Sequence, residues 1–133
     1  MVLVDTSVWA DLFNGHPSAE ASILRHLIED ETELFTTGLI VQEILQGISD
    51  RKKRAEIRSD LAEFVRVDPS LQTHVEAAEI FAGCRKKGVT IRKSIDCAIA
   101  AIALEYDLEL LHKDRDFAQI AKVFPLKLLD VTE

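Results

Sequence analysis

The stretch Val2-Leu3-Val4-Asp5-Thr6-Ser7-Val8-Trp9 decides the fold. Three consecutive aliphatic residues form a short unbroken apolar run, as in a strand buried on both faces. An acid ends that run, and Thr6–Asn14 takes up helical spacing before Gly15. A buried strand passing directly into a helix is the first half of a βαβ unit, and the rest of the chain keeps the alternation. Residues 17–30 read as a helix opening at Pro17, with Ile23, Leu27 and Ile28 on one stripe, and 33–36 as a strand. Helical patterns follow over 39–48, 50–64 and 71–87, the last closing at Gly88. The 95–106 segment is helical and almost wholly apolar, which predicts burial. A strand over 108–111, a helix over 115–123 and a final strand over 126–129 complete the series. The order predicts an α/β fold: a three-layer α/β/α sandwich with a central parallel sheet of about four to five strands. The whole of 1–133 reads as one domain. Residues 50–70 are so charged that a helical hairpin standing off the core is expected there.

Bulk composition narrows the function. The 133 residues are 47% hydrophobic, enough for a core, and carry a formal charge of −7. That charge argues against a general nucleic-acid coat protein, which needs a basic footprint. The average hides a split. Residues 51–93 hold eleven of the sixteen Lys and Arg with six acids, a net +5, so the remainder is −12. Cys84 and Cys97 lie in apolar helical patterns outside any CxxC and read as buried small hydrophobes in a reducing compartment. No basic segment precedes Asp5, and the longest apolar run, 97–104, is far short of the ~20 residues a membrane helix needs. A cytoplasmic protein without membrane contact is expected.

Four acids sit at the edges of apolar segments far apart in sequence: Asp5, Glu43, Asp96 and Asp114. Carboxylates are rarely buried unless paired or bound to a metal. In a chain without a Cys/His ligand cluster, several of them suggest a hard cation, Mg²⁺ or Mn²⁺, which is the usual chemistry for cutting phosphodiesters. Each acid has a plainer reading. Asp5, Asp96 and Asp114 lie where helices begin, and an acid there stabilises the free N–H groups by ~0.5–2 kcal/mol. Glu43 is mid-helix at the border of the apolar face and could be an edge glutamate. The joint pattern favours a site, because Asp5 and Asp114 each follow a strand, where ligands bind in open α/β sheets. Asp116 is a fifth candidate, as a ligand, an outer-shell group or a first-turn acid. Thr6 and Ser7 either orient a water or cap a helix. Trp9 with Phe13, His112, and Arg51-Lys52-Lys53-Arg54 read as core packing, a structural histidine and a solvated face or phosphate contact, respectively.

With these residues in hand, the chain resembles the PIN-domain ribonucleases of the VapC type, the toxin half of bacterial and archaeal toxin–antitoxin pairs. Val2-Leu3-Val4-Asp5-Thr6-Ser7-Val8-Trp9 is similar to the family's opening strand and first aspartate. Leu39-Ile40-Val41-Gln42-Glu43-Ile44-Leu45-Gln46-Gly47 is similar to its helix-borne glutamate. Arg92-Lys93-Ser94-Ile95-Asp96-Cys97-Ala98-Ile99-Ala100-Ala101 and Leu110-Leu111-His112-Lys113-Asp114-Arg115-Asp116-Phe117 are similar to the third and fourth acidic motifs. The resemblance covers essentially the whole chain. It implies a Mg²⁺- or Mn²⁺-dependent endoribonuclease with Asp5, Glu43, Asp96 and Asp114 catalytic and Asp116 sharing the ligand role. It also implies a homodimer, a cognate antitoxin that inhibits it, and a structured RNA substrate such as tRNA or rRNA. Three rivals are set beside it: a PIN nuclease for RNA processing outside such a pair, an aspartyl phosphatase built on Asp5, and a non-catalytic interaction module whose acids only cap helices. The phosphatase class wants a second acid two residues after the nucleophile, where this chain has Ser7.

Overall fold

The computed structural model describes residues 1–131. Residues 132 and 133, which the expected domain span included, lie outside the described residues. The elements run β1 (Val2–Val4), α1 (Thr6–Asn14), α2 (Ala19–Glu29), β2 (Leu34–Thr36), α3 (Gly38–Gln46), α4 (Arg51–Leu61), β3 (Val65–Arg66), α5 (Leu71–Lys86), α6 (Ser94–Glu105), β4 (Glu109–Leu111) and α7 (Arg115–Ala121). All strands pair in parallel, in the order β3-β2-β1-β4. β1 is central. Leu3 lies opposite Phe35 of β2 on one side and Leu110 of β4 on the other, and all three residues of β1 are buried. The chain therefore builds β1, β2 and β3 outward in one direction, then returns to place β4 on the opposite flank of β1. That reversal opens a crevice beyond the carboxyl ends of β1 and β4.

Helices cover this sheet in two packed sets, giving a three-layer α/β/α fold: α1 lies against α2 and α3, and α3 against α4, while α5 runs along α6 with α7 against both. The helix starts follow the local sequence. Asp5, Ser18, Asp50 and Asp114 each accept a backbone N–H of the first turn, and Ser70 with Thr73 forms a reciprocal capping box. α1 ends at Gly15, whose φ of 66° is the left-handed cap that glycine adopts freely. Every residue of α6 from Asp96 to Ala103 is buried. Its alanines admit α5 closely, and Ile99 and Ile102 are fully buried in the core. Each such fully buried side chain contributes roughly 1.5–3 kcal/mol. Trp9 stacks on Phe13 at 5.6 Å and tilts against Phe64 at 5.1 Å, so this aromatic group is core. Among the described residues, no helix is long and apolar enough to cross a membrane.

Three expectations need correction. Residues 50–70 do not stand off as a hairpin. Ile57 and Leu61 bury one face of α4 at 4% and 3% exposure, and the chain then adds β3 beside β2, with Val67 N–H donating to Thr36 O at 2.9 Å. β3 is two exposed residues long, too short to carry an alternating pattern. The final strand over 126–129 reduces to a single parallel bridge, Leu110 with Leu128, on the outer side of β4. Among the described residues, the backbone of Leu110 alone in β4 bonds it, donating to Lys127 O and accepting from Leu129 N, both at 2.9 Å. The second helix starts at Ala19 rather than Pro17, because Ser18 supplies the cap.

Candidate metal centre

Asp5 leaves the end of β1 and enters the crevice. Its backbone N–H donates to Leu111 O of β4 at 2.9 Å, which ties the two strand ends together. Its Oδ2 accepts from the Ser7 backbone N–H at 3.3 Å and the Ser7 hydroxyl at 2.7 Å. Ser7 Oγ also accepts from Lys113 N–H at 3.3 Å, so the residues after β1 hold those after β4. Asp114 opens α7 with Oδ1 accepting from Asp116 N–H at 2.9 Å. Asp116 is buried, and its Oδ2 accepts from the Arg92 N–H at 3.2 Å. Asp96 comes from a third direction, in the first turn of buried α6, and is 2% exposed.

These segments bring one carboxylate oxygen each from Asp96, Asp114 and Asp116 within 4.8 Å of one another. Asp5 stands beside that group, close enough for its charge to act on Asp96 and Lys93, but is not a member of it. Glu43 is farther out on α3. It is joined to the site through Thr6, whose hydroxyl donates to Glu43 Oε1 at 2.8 Å. His112 packs its ring edge against Phe117 at 5.4 Å, and burial holds its pKa below the ordinary imidazole value.

Electrostatics mark Asp96 as the strained member. Burial pushes its carboxyl up to about 8 against the opposing pull of Lys93, and the charges of Asp114 and Asp5 add to the rise. Burial acts on Asp114 in the same sense, yet the Asp116 N–H and the Lys93 ammonium outweigh it and hold Asp114 below the usual range. Lys93 Nζ lies 3.1 Å from Asp114 Oδ2 and 4.0 Å from Asp96 Oδ2. Arg92 reaches Asp116 Oδ2 and Asp114 Oδ1, both at 3.5 Å. Asp96 Oδ2 is nevertheless fully buried with no hydrogen-bond partner among the described residues. An orphaned buried oxygen facing two further carboxylates, without an imidazole or thiolate in the group, fits a hard divalent cation.

Arg92 and Lys93 count in the sequence among the basic residues of 51–93, and their pairing with the aspartates is what the sequence did not show. A local misfit signals them. Lys93 occupies the N-cap of α6 without making a capping bond, at the helix end where the dipole disfavours a cation. A broken local rule of this kind points to a role elsewhere.

A parallel sheet with acids gathered at its switch point defines the class, and comparison with known proteins agrees. The PIN-domain family model matches residues 2–123, and the chain belongs to the PIN-domain family. Within it the similarity is to the VapC group. Ribonuclease VapC11 of Mycobacterium tuberculosis is 31% identical over 130 residues, covering 96% of both chains. Among solved structures, VapBC2 from Rickettsia felis bound to a promoter DNA fragment superposes with a TM-score of 0.76 at 17% identity, over 97% of this chain and 98% of that one. A toxin–antitoxin complex from Klebsiella pneumoniae gives 0.73 at 22% identity, over 96% and 100%.

Proposed function

We propose that this protein is a Mg²⁺- or Mn²⁺-dependent endoribonuclease that hydrolyses phosphodiester bonds, acting in the cytoplasm as the toxin of a toxin–antitoxin pair. The observation that carries the reading is the buried, partnerless Oδ2 of Asp96 facing Asp114 and Asp116 at the switch point of the sheet. Asp96, Asp114 and Asp116 are assigned as the residues that would hold the ion, with Asp5 beside them. Such an ion, when bound, polarises the phosphoryl oxygen and acidifies the attacking water. The protein's own groups do the rest. Ser7 fixes the Asp5 carboxylate, and Thr6 fixes Glu43, which is assigned to accept a proton from the attacking water. No nucleophilic side chain is needed for this hydrolysis.

The relatives' names support the substrate and the partner: VapC11 is called a ribonuclease, and a structural neighbour is a toxin–antitoxin complex. A structured RNA such as tRNA or rRNA is the proposed target, and a cognate antitoxin placing a basic group in the acidic crevice is the proposed inhibitor. The working unit is proposed to be a homodimer. On α4, Arg51, Lys52, Lys53 and Arg58 are available to the RNA backbone. Arg54 is not, since it donates to Ile48 O at 2.8 Å and holds the α3–α4 turn. The test is cleavage of total cellular RNA by the purified, antitoxin-free chain with Mg²⁺, Mn²⁺ or EDTA, beside Asp96→Asn. Discrete fragments that vanish with EDTA and in the variant are expected. A cleaving Asp96→Asn protein would refute the assignment.

A further inference from the structure

The acidic crevice already carries cations of its own. Lys93 bridges Asp114 and Asp96, and Arg92 bridges Asp116 and Asp114. Both side chains are more than half exposed, 53% and 56%, so each is anchored only at its charged end and can turn outward without disturbing the core. A cleft of about 450 Å³ adjoins Arg92 and Asp116, with Thr90, Arg115 and Gln119 on its walls. A polyanion approaching Asp116 along this cleft meets Arg92 first, and one approaching Asp114 meets the exposed Lys93 that pairs with it. The two demands on them oppose each other. A divalent ion among the three aspartates repels a nearby ammonium and competes for its oxygens, whereas a phosphate beside the site attracts it.

We propose that Lys93, with Arg92 beside it, is a displaceable counter-ion that neutralises the aspartates in the metal-free protein and, when a divalent ion takes its place, turns outward to grip an RNA phosphate. The inference rests on the nuclease reading and adds to it an order of events: metal loading frees the residue that holds substrate. It accounts for a lysine at a helix N-terminus where neither capping nor the dipole favours it. It also explains how three carboxylates are held together before metal arrives. Lys93 is a positioning group for the phosphate backbone, and Asp96, Asp114 and Asp116 stay where they are.

The test separates the two halves. Mn²⁺ is titrated calorimetrically into the full chain without RNA, for wild type, Lys93→Ala and Lys93→Arg. Lys93→Ala should bind Mn²⁺ about tenfold tighter, because the competing cation is gone, and Lys93→Arg should stay near wild type. Binding of a fluorescein-labelled single-stranded DNA 12-mer, which presents the same phosphates, is then followed against salt in Mg²⁺. Lys93→Ala should reduce the salt slope by about one, and its cleavage of total RNA should slow by about tenfold at saturating Mg²⁺. A merely structural lysine would not tighten the metal while weakening the polyanion. Unchanged or weaker Mn²⁺ binding by Lys93→Ala overturns the proposal, as does tighter Mn²⁺ binding with an unaltered salt slope. If wild type itself neither binds Mn²⁺ nor cleaves RNA, the nuclease reading falls and takes this inference with it.

Discussion

Replacing Asp96 by Asn should give a protein that is more stable without metal and inactive with it. In the metal-free chain the Asp96 carboxyl titrates at about 8 because burial outweighs the help of Lys93. In the unfolded chain it titrates at about 3.9. The folded pKa is the higher one, so folding takes up a proton between these values. Stability is full below pH 4, falls as pH rises towards 8, and is flat beyond. At pH 7 the proton uptake spans about three pH units, which corresponds to a cost of up to roughly 4 kcal/mol. Asn has nearly the same shape, removes the titration, and can donate its amide to Asp114. The Tm of the variant in EDTA at pH 7 should therefore exceed that of wild type by several degrees, at roughly 2–4 °C per kcal/mol for a chain of this size. At pH 4 the two should converge. Millimolar Mg²⁺ should raise the Tm of wild type and leave the variant where it is. The assay is differential scanning calorimetry at pH 4, 6 and 8, with Mg²⁺ or EDTA, beside cleavage of total RNA. A metal-free Asp96→Asn protein that melts below wild type at pH 7 would refute the electrostatic argument.

Four further changes probe other contacts. Thr6→Val removes the hydroxyl that holds Glu43; cleavage should drop at least tenfold while urea denaturation shows a loss of only about 0.5–1.5 kcal/mol. Asp114→Asn keeps a good N-cap and loses the charge, so calorimetry should find its stability near wild type and its Mn²⁺ binding much weakened. Asp114→Ala loses the cap as well, which should lower denaturant stability by about a further 1 kcal/mol. Gly83→Ala places a Cβ 2.6 Å from the Phe124 ring, and chemical denaturation should show a loss of about 1–3 kcal/mol unless the ring moves aside.

Most of the architecture was legible because its signals were local. The unbroken apolar run of β1, the Gly15 stop and the all-apolar α6 each specify one element without reference to a partner. What escaped was decided by tertiary contacts. β3 exists only because Val65 and Arg66 lie beside Phe35 and Thr36, and the terminal strand contracts to a bridge because one residue of β4, Leu110, serves it. At the site, the sequence put Asp5 and Asp114 at one sheet edge from their positions after strands. It could not rank the five acids by their proximity. Asp116 enters the tight oxygen group because Asp114 turns the chain into α7 and the Arg92 N–H anchors the new carboxylate, whereas Glu43 stays outside it on α3. Both outcomes depend on where side chains point after the helices have docked.

Capping and metal chemistry, which read as rivals along the chain, are compatible in space because they use different atoms. Asp114 caps α7 with Oδ1 and presents Oδ2 to Lys93. Asp5 spends Oδ2 on Ser7 at the start of α1. Asp96 makes no cap at all and lies inside the first turn of α6. Three helix N-termini thus converge on the crevice, and their dipoles lower the potential energy of every carboxylate there. The same convergence explains the imbalance within the group. Asp114 receives a backbone N–H and an ammonium and is held ionised, while Asp96, more deeply buried than Asp114, is pushed towards the neutral acid. Asp96 is consequently the carboxylate whose charge depends most on a cation arriving, and Lys93, 4.0 Å away, is the internal cation it has in the meantime. Helix dipoles and Lys93 thus offset the repulsion within the cluster, while the buried Asp96 Oδ2 has no hydrogen-bond partner among the described residues.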